Sequence, residues 1–167
     1  LAVAHVVRKD IPAFRSAAER ALALNSMDGF QMGEIALWTS YSGEWQRGRE
    51  LMERAMALNP RHPGFFWYPL VHDAYRQKDY SRALDYALRV NLPGQFWTHL
   101  VLAMVNGQLG NRDAAADALR ELLAIYPDFP DHARQELEKF FFLERAHAEH
   151  VLEGLRKAGL TLEDRKH

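Results

Sequence analysis

Cysteine is absent from the chain. A disulfide framework, a thiolate-bound zinc site and a cysteine nucleophile are therefore all excluded. Charge of one sign is missing too: 21 basic residues stand against 22 acidic ones, for a net charge of −1 at pH 7. A nucleic-acid-binding surface needs clustered Lys and Arg to neutralise phosphates. Here the basic residues alternate with acidic ones, as on a solvated helix face. No apolar run approaches the ~20 residues that a membrane span requires. No signal-peptide pattern opens the chain, and a cytoplasmic location follows as the default.

The motifs of catalysis are lacking as well. There is no Gly-rich phosphate loop and no nucleophile elbow. Glu44, Glu50 and Glu53 lie at helical spacing beside Arg47, Arg49 and Arg54, which suits a solvated helix rather than acid–base chemistry. His147 and His150 are three apart on an expected helix, but a closed metal site would need further ligands such as His132 or Glu144 to converge. Surface and cap histidines are the commoner use of such spacing. The reading is a non-enzyme with no catalytic residue, cofactor or metal.

What the chain does have is a degenerate unit recurring about every 34 residues. Its clearest copy runs from Gly29 to Pro60, with a helical pattern that stops at Gly43, restarts at Trp45 and ends in Ala55-Met56-Ala57-Leu58-Asn59-Pro60. The tail returns as Ala21-Leu22-Ala23-Leu24-Asn25 and as Leu122-Leu123-Ala124-Ile125-Tyr126-Pro127. Small residues at Ala36, Gly48 and Ala55 let two antiparallel helices approach closely. Gly43 and Gly110 stand where a helix must stop, and Pro60 and Pro127 follow helix ends. The third unit ends differently, in Val90-Asn91-Leu92-Pro93-Gly94, so a turn of another shape is expected. Pro69 falls inside the first helix of that unit. Either the helix starts near Phe66, with Pro69 in its first turn, or it kinks; the late start is favoured.

These units resemble tetratricopeptide repeats, helix–turn–helix units with the pattern W-x2-L-G-x2-Y…A-x3-F…P. The third unit carries Trp67, Leu70, Ala74 and Tyr75, then Ala83 where its helices would cross. The fourth carries Leu102-Ala103, Leu109-Gly110-Asn111, Ala115, Leu119, Leu122 and Pro127. The second fits with Ile35-Ala36, Gly43, Trp45, Gly48, Met52, Ala55 and Pro60. The resemblance implies an all-α, right-handed superhelix of antiparallel helix pairs with C-terminal capping helices. The repeats occupy residues 1–128, capping helices 129–160, and a frayed tail 161–167. Leu1–Arg8 fits only the second half of a first helix, with the partner helix following Asp10-Ile11-Pro12. The first repeat then reads as truncated and the chain as a fragment of a longer polypeptide. After Pro130 the repeat signature fades into a capping helix or helix pair. One run there includes Leu137, Phe140, Phe141, Glu144 and His147, another Val151, Leu152 and Leu155.

In this family the first helix of each pair lines a groove that meets the partner. Projected here, that face gives Phe30, Leu37 and Tyr41 from the second unit. The third gives Phe65, Tyr68, His72, Tyr75 and Arg76, and the fourth Trp97, Leu100, Met104 and Gln108. The groove is either open, or filled by the chain's own packing and capping helices. If open, it is aromatic and nearly uncharged, and an apolar segment or helix suits it better than an acidic tail. Chaperone-binding members clamp a terminal carboxylate with Lys, Arg and Asn. The matching positions here, including Gly33, Leu37, Pro69, Trp97 and Val101, offer no such clamp.

Arg54–Pro60, Pro127–Phe129 and Gly154–Leu160 are further similar to C-terminal repeat regions of bacterial signalling proteins, class III adenylate cyclases among them. That likeness implies a regulatory or interaction arm, not cyclase activity. The expected function is protein–protein interaction as a scaffold or regulatory module. The alternative is a sensing domain that holds a small molecule or lipid in the aromatic groove, and a third reading is self-association into a homo-oligomer.

Overall fold

The computed structural model describes residues 9–141 and 144–162. The expected half-helix at Leu1–Arg8, and residues 163–167 of the tail, lie outside the described residues. Among those described are nine α-helices, one 3-10 turn and no strand. The helices are α1 (Ile11–Leu24), α2 (Gly29–Tyr41), α3 (Trp45–Leu58), α4 (Trp67–Arg76), α5 (Tyr80–Val90), α6 (Phe96–Leu109), α7 (Arg112–Ile125), α8 (Phe129–Phe140) and α9 (Arg145–Lys157). The 3-10 turn, Gly64–Phe66, leads into α4. The fold is all-α and tetratricopeptide-like.

Local chemistry sets most of these boundaries. The carboxylates of Asp10, Asp28 and Asp79 each accept from the backbone N–H three residues on, at 3.1, 2.9 and 3.2 Å. Each thus satisfies one of the N–H groups that a helix start leaves without a partner. Pro12 occupies the second position of α1, where its missing N–H breaks no helical bond. Gly43 and Gly110 take positive φ, +91° and +75°, and end α2 and α6 in a conformation that a side chain would strain. The cap residues Asn25, Asn59 and Tyr126 have φ between −130° and −144°, whereas Asn91 is left-handed at φ 46°. The odd turn expected after the third unit is therefore a change of handedness at one asparagine. The helix containing Pro69 begins at Trp67, so the proline lies in its first turn.

The chain forms two compact units, Leu1–Pro69 and Leu70–His167. In the first, α2 packs antiparallel on α3. A β-carbon on Gly48 would meet Ser40 Oγ at 2.0 Å, and one on Gly29 would meet Leu58 and Asn59 at 3.1 Å. That register sets Ala36 level with Met52, and Gly33 level with Ala55. Ala36, Met52 and Ala55 are fully buried, and a β-carbon on Gly29 or Gly33 would also clash, with Ala55 O at 2.9 Å and with the Phe66 ring at 2.0 Å. The ring of Phe66, also fully buried, covers Gly33. Ion pairs Arg15–Glu44 (2.6 Å) and Arg47–Glu19 tie α1 to the α2–α3 hairpin. Their side chains are between 27% and 57% exposed, which limits each pair to ~0–1 kcal/mol.

In the second unit α6 is the central element, packed against α5, α7 and α9. Its sequence is apolar nearly all round, and Leu100, Val101, Ala103, Met104 and Val105 are fully buried. Burial of a Leu, Val or Met side chain stabilises by roughly 1.5–3 kcal/mol, so this helix dominates the core. Its one buried amide, Asn106, donates to Leu102 O at 2.9 Å and accepts from Asn111 Nδ2 at 3.0 Å. The C-terminal segment is a helix pair rather than one long run. α8 ends at Phe140, and the buried Phe141 turns inward against His72 and His147. Glu144 and His147 therefore belong to α9 and its cap, not to the run containing Leu137.

Candidate functional site

The most highly organised polar cluster lies in the second unit, where α9 covers the face made by α4 and α6. Two glycines permit this approach. A β-carbon on Gly107 would lie 2.2 Å from Gly154 O, and one on Gly154 would lie 2.6 Å from Met104 O and 2.3 Å from Tyr75 Oη. The helices therefore meet backbone to backbone, with Ala148, Val151, Leu152 and Leu155 of α9 buried alongside. Close contact of this kind is possible only where both side chains are absent.

Around the glycines runs a chain of hydrogen bonds. The Tyr75 hydroxyl donates to His150 O at 2.9 Å and accepts from Gln108 Nε2 at 3.1 Å. Lys157 Nζ donates to Gln108 Oε1 at 2.7 Å and pairs with Glu153 at 2.7 Å. The Tyr80 hydroxyl bonds His150 Nε2 at 2.9 Å, and the Tyr75 and His150 rings lie 4.4 Å apart. At the start of α9, His72 Nδ1 and His147 Nε2 are 3.1 Å apart, both rings buried, with Phe141 packed on each.

The histidine contact constrains protonation. One ring nitrogen must donate and the other must accept, so a pair protonated on both rings has no acceptor left. Burial holds His72 far below its ordinary value, at about 3. His147 is also held well below, by burial first and then by the positive charge of His72, His150 and Arg76. His150 is lowered more moderately, again mainly by burial. Burial pushes the Tyr75 hydroxyl up. Both members of the buried pair are therefore neutral at pH 7.

The residues projected onto the groove fall into different environments. In the first unit Phe30 is 48% exposed and meets Phe65 edge-on at 6.1 Å; Leu37, Phe65 and Tyr68 are half-buried. Tyr41 is buried against Trp45, and burial, with Tyr68 nearby, raises its hydroxyl pKa. In the second unit His72, Tyr75, Leu100 and Met104 are buried, Trp97 and Gln108 half-buried, and Arg76 exposed in an ion pair with Asp73 at 2.9 Å. Trp97 packs edge-on against Phe140 at 4.7 Å. The structure thus joins His72, Tyr75, Met104 and Gln108 under one helix, and that stretch of the face is filled by the chain itself.

Sequence reasoning passed over Gly107 and treated Gly154 only as part of a motif. A glycine within a helix costs about 1 kcal/mol relative to alanine, which was the signal that another backbone approaches there. Among the described residues no group of three or more His, Asp or Glu converges on a metal position. The His147 ring is turned to His72, and that of His150 to Tyr80. A cleft lined by Phe14, Ile35, Thr39 and Leu51 in the first unit holds about 10 Å³, room for one water. No helix among the described residues is long and apolar enough to cross a membrane.

No protein-family model matches the chain, and no curated protein matches it. Among solved structures it is similar to MamA, a tetratricopeptide-repeat-containing protein, with a TM-score of 0.64 and 14% sequence identity over 95% of this chain and 92% of MamA. At that identity the likeness establishes a shared tetratricopeptide-like helical fold.

Proposed function

We propose that the protein is an interaction module whose first-helix face receives an apolar helical segment. One observation carries this reading: in the second unit that face is occupied by an amphipathic helix, α9, which buries Ala148, Val151, Leu152 and Leu155 on it. The occupant displays the chemistry the face accepts. In the first unit the corresponding residues Phe30, Leu37, Phe65 and Tyr68 retain exposure, and rigid aromatic side chains of this kind anchor partners at low entropic cost. The repeats of residues 1–128 supply the face and residues 129–160 the covering helices. A sensing role would need a ligand cavity of several hundred Å³, and nothing observed favours it. The likeness of Arg54–Pro60, Pro127–Phe129 and Gly154–Leu160 to signalling proteins supports a finer reading, a regulatory arm of a nucleotide cyclase or similar regulator.

Photo-crosslinking tests the assignment. A benzoylphenylalanine at Phe30 or Tyr68 should yield discrete protein adducts in cells, and one at the exposed Arg120 of α7 should not. Adducts from Arg120 alone would place binding on the second-helix face and sink the proposal.

A further inference from the structure

Nothing in packing alone requires polar side chains beneath α9. An apolar face closed by an apolar helix is stable without them, and replacing a buried polar pair by hydrocarbon is often neutral or stabilising. Yet the α4–α9 contact is built on two buried imidazoles, His72 and His147, 3.1 Å apart, with His150 a turn further along against Tyr75 and Tyr80. We propose that the α4–α6 face is a binding surface for an amphipathic helix with glycine at its closest approach, and that α9 is its resident occupant, released by acid.

The pair needs one neutral acceptor, so uptake of a proton from solvent on each ring leaves two cations facing one another with no hydrogen bond between them. Their surroundings do not neutralise that charge. On α4 the one carboxylate nearby, Asp73, is paired with Arg76, whose charge itself disfavours protonation of His147. The turn into α5 and its first residue bring Lys78 and Tyr80 toward His150. On α9, Glu153 favours the charged form of His150 but is paired with Lys157, whose charge opposes it, and α6 contributes the uncharged Gln108. Glu144 precedes His147 by one turn, and its backbone oxygen accepts from His147 N at 2.9 Å. Protonation is therefore accommodated by separation of α9 from α4. The freed surface would present Tyr75, Met104 and the Gly107 notch, which fit a helix with a small residue in register. The inference rests on the interaction reading only for what the freed face binds.

The 167-residue chain, alone, provides the test. Hydrogen exchange corrected for intrinsic rates is followed at pH 7.5 and 5.5 over Arg145–Lys157, with Trp45–Leu58 of α3 as the reference. Two histidines that protonate near 6.5 when released should each raise opening about tenfold at pH 5.5, so α9 protection falls roughly 100-fold while that of α3 holds. In His72→Gln and His147→Gln the drop should shrink about tenfold, and in the double variant only the smaller part carried by His150 should remain. If the Gln variants do not fold, His72→Asn and His147→Asn carry the same comparison. Unchanged α9 protection, equal loss in α3, or a drop undiminished by both substitutions overturns acid release. A labelled peptide of residues 144–160 carrying H147Q, added at pH 5.5, then probes the surface. Capture of the peptide supports it, whereas release without capture overturns the binding surface, and with it the interaction reading for this unit.

Discussion

At Ala55 the side chain is fully buried, level with Gly33, in a hairpin whose register is set by Gly48 against Ser40. Three more carbons have nowhere to go there. Ala55→Leu should cost roughly 1–3 kcal/mol by overpacking, read as a lower denaturant midpoint with an unchanged slope. An unaltered midpoint would show that the α2–α3 packing is looser than described. The buried histidines set a second expectation at this scale. The folded form of His72 binds its proton only near pH 3, whereas the unfolded form does so near 6.5. The unfolded state therefore holds more protons between those values. The contribution is complete above about pH 6.5 and declines as pH falls toward 3, by ~1.4 kcal/mol per pH unit for each such histidine. His72→Gln should flatten that slope in urea titrations between pH 7 and 5. A slope that is unchanged would mean that other groups carry the acid sensitivity.

Among elements, α6 and α9 show two opposing effects at one residue. Gly107→Ala favours the helix by up to about 1 kcal/mol through propensity, but its β-carbon would fall 2.2 Å from a backbone oxygen of α9. A clash with backbone outweighs propensity, so a net loss of about 1–3 kcal/mol is expected, with faster exchange across α9. A raised melting temperature would mean that the two backbones do not touch. What was legible in the sequence divides along the same line. The helix starts at Asp10, Asp28 and Asp79, the stops at Gly43 and Gly110, and the altered turn at Asn91 depend on a few adjacent residues and were open to local reading. The seating of α9 depends on Gly107 meeting Gly154 and His72 meeting His147, residues 47 and 75 positions apart. No local pattern encodes which distant helix fills a small-residue notch. The same blindness made His147 look like an ordinary cap histidine.

For the whole molecule, repeat periodicity carried the fold class, because small and aromatic residues at recurring positions report how successive helices pack. The TM-score of 0.64 to MamA over 95% of the chain, at 14% identity, shows how little side-chain identity that fold class needs. Periodicity does not say whether the face so formed is open, and in the second unit it holds α9. The central claim is that α9 occupies this face only while its own His147 and the His72 beneath it are neutral. Ring-nitrogen NMR of His72 and His147 from pH 8 to 5, recorded with the contact between Tyr75 and Gly154, tests it most directly. Both rings should remain neutral tautomers wherever that contact persists, with protonated signals confined to molecules that have lost it. A ring that titrates near pH 6.5 while the contact stays intact would contradict the account.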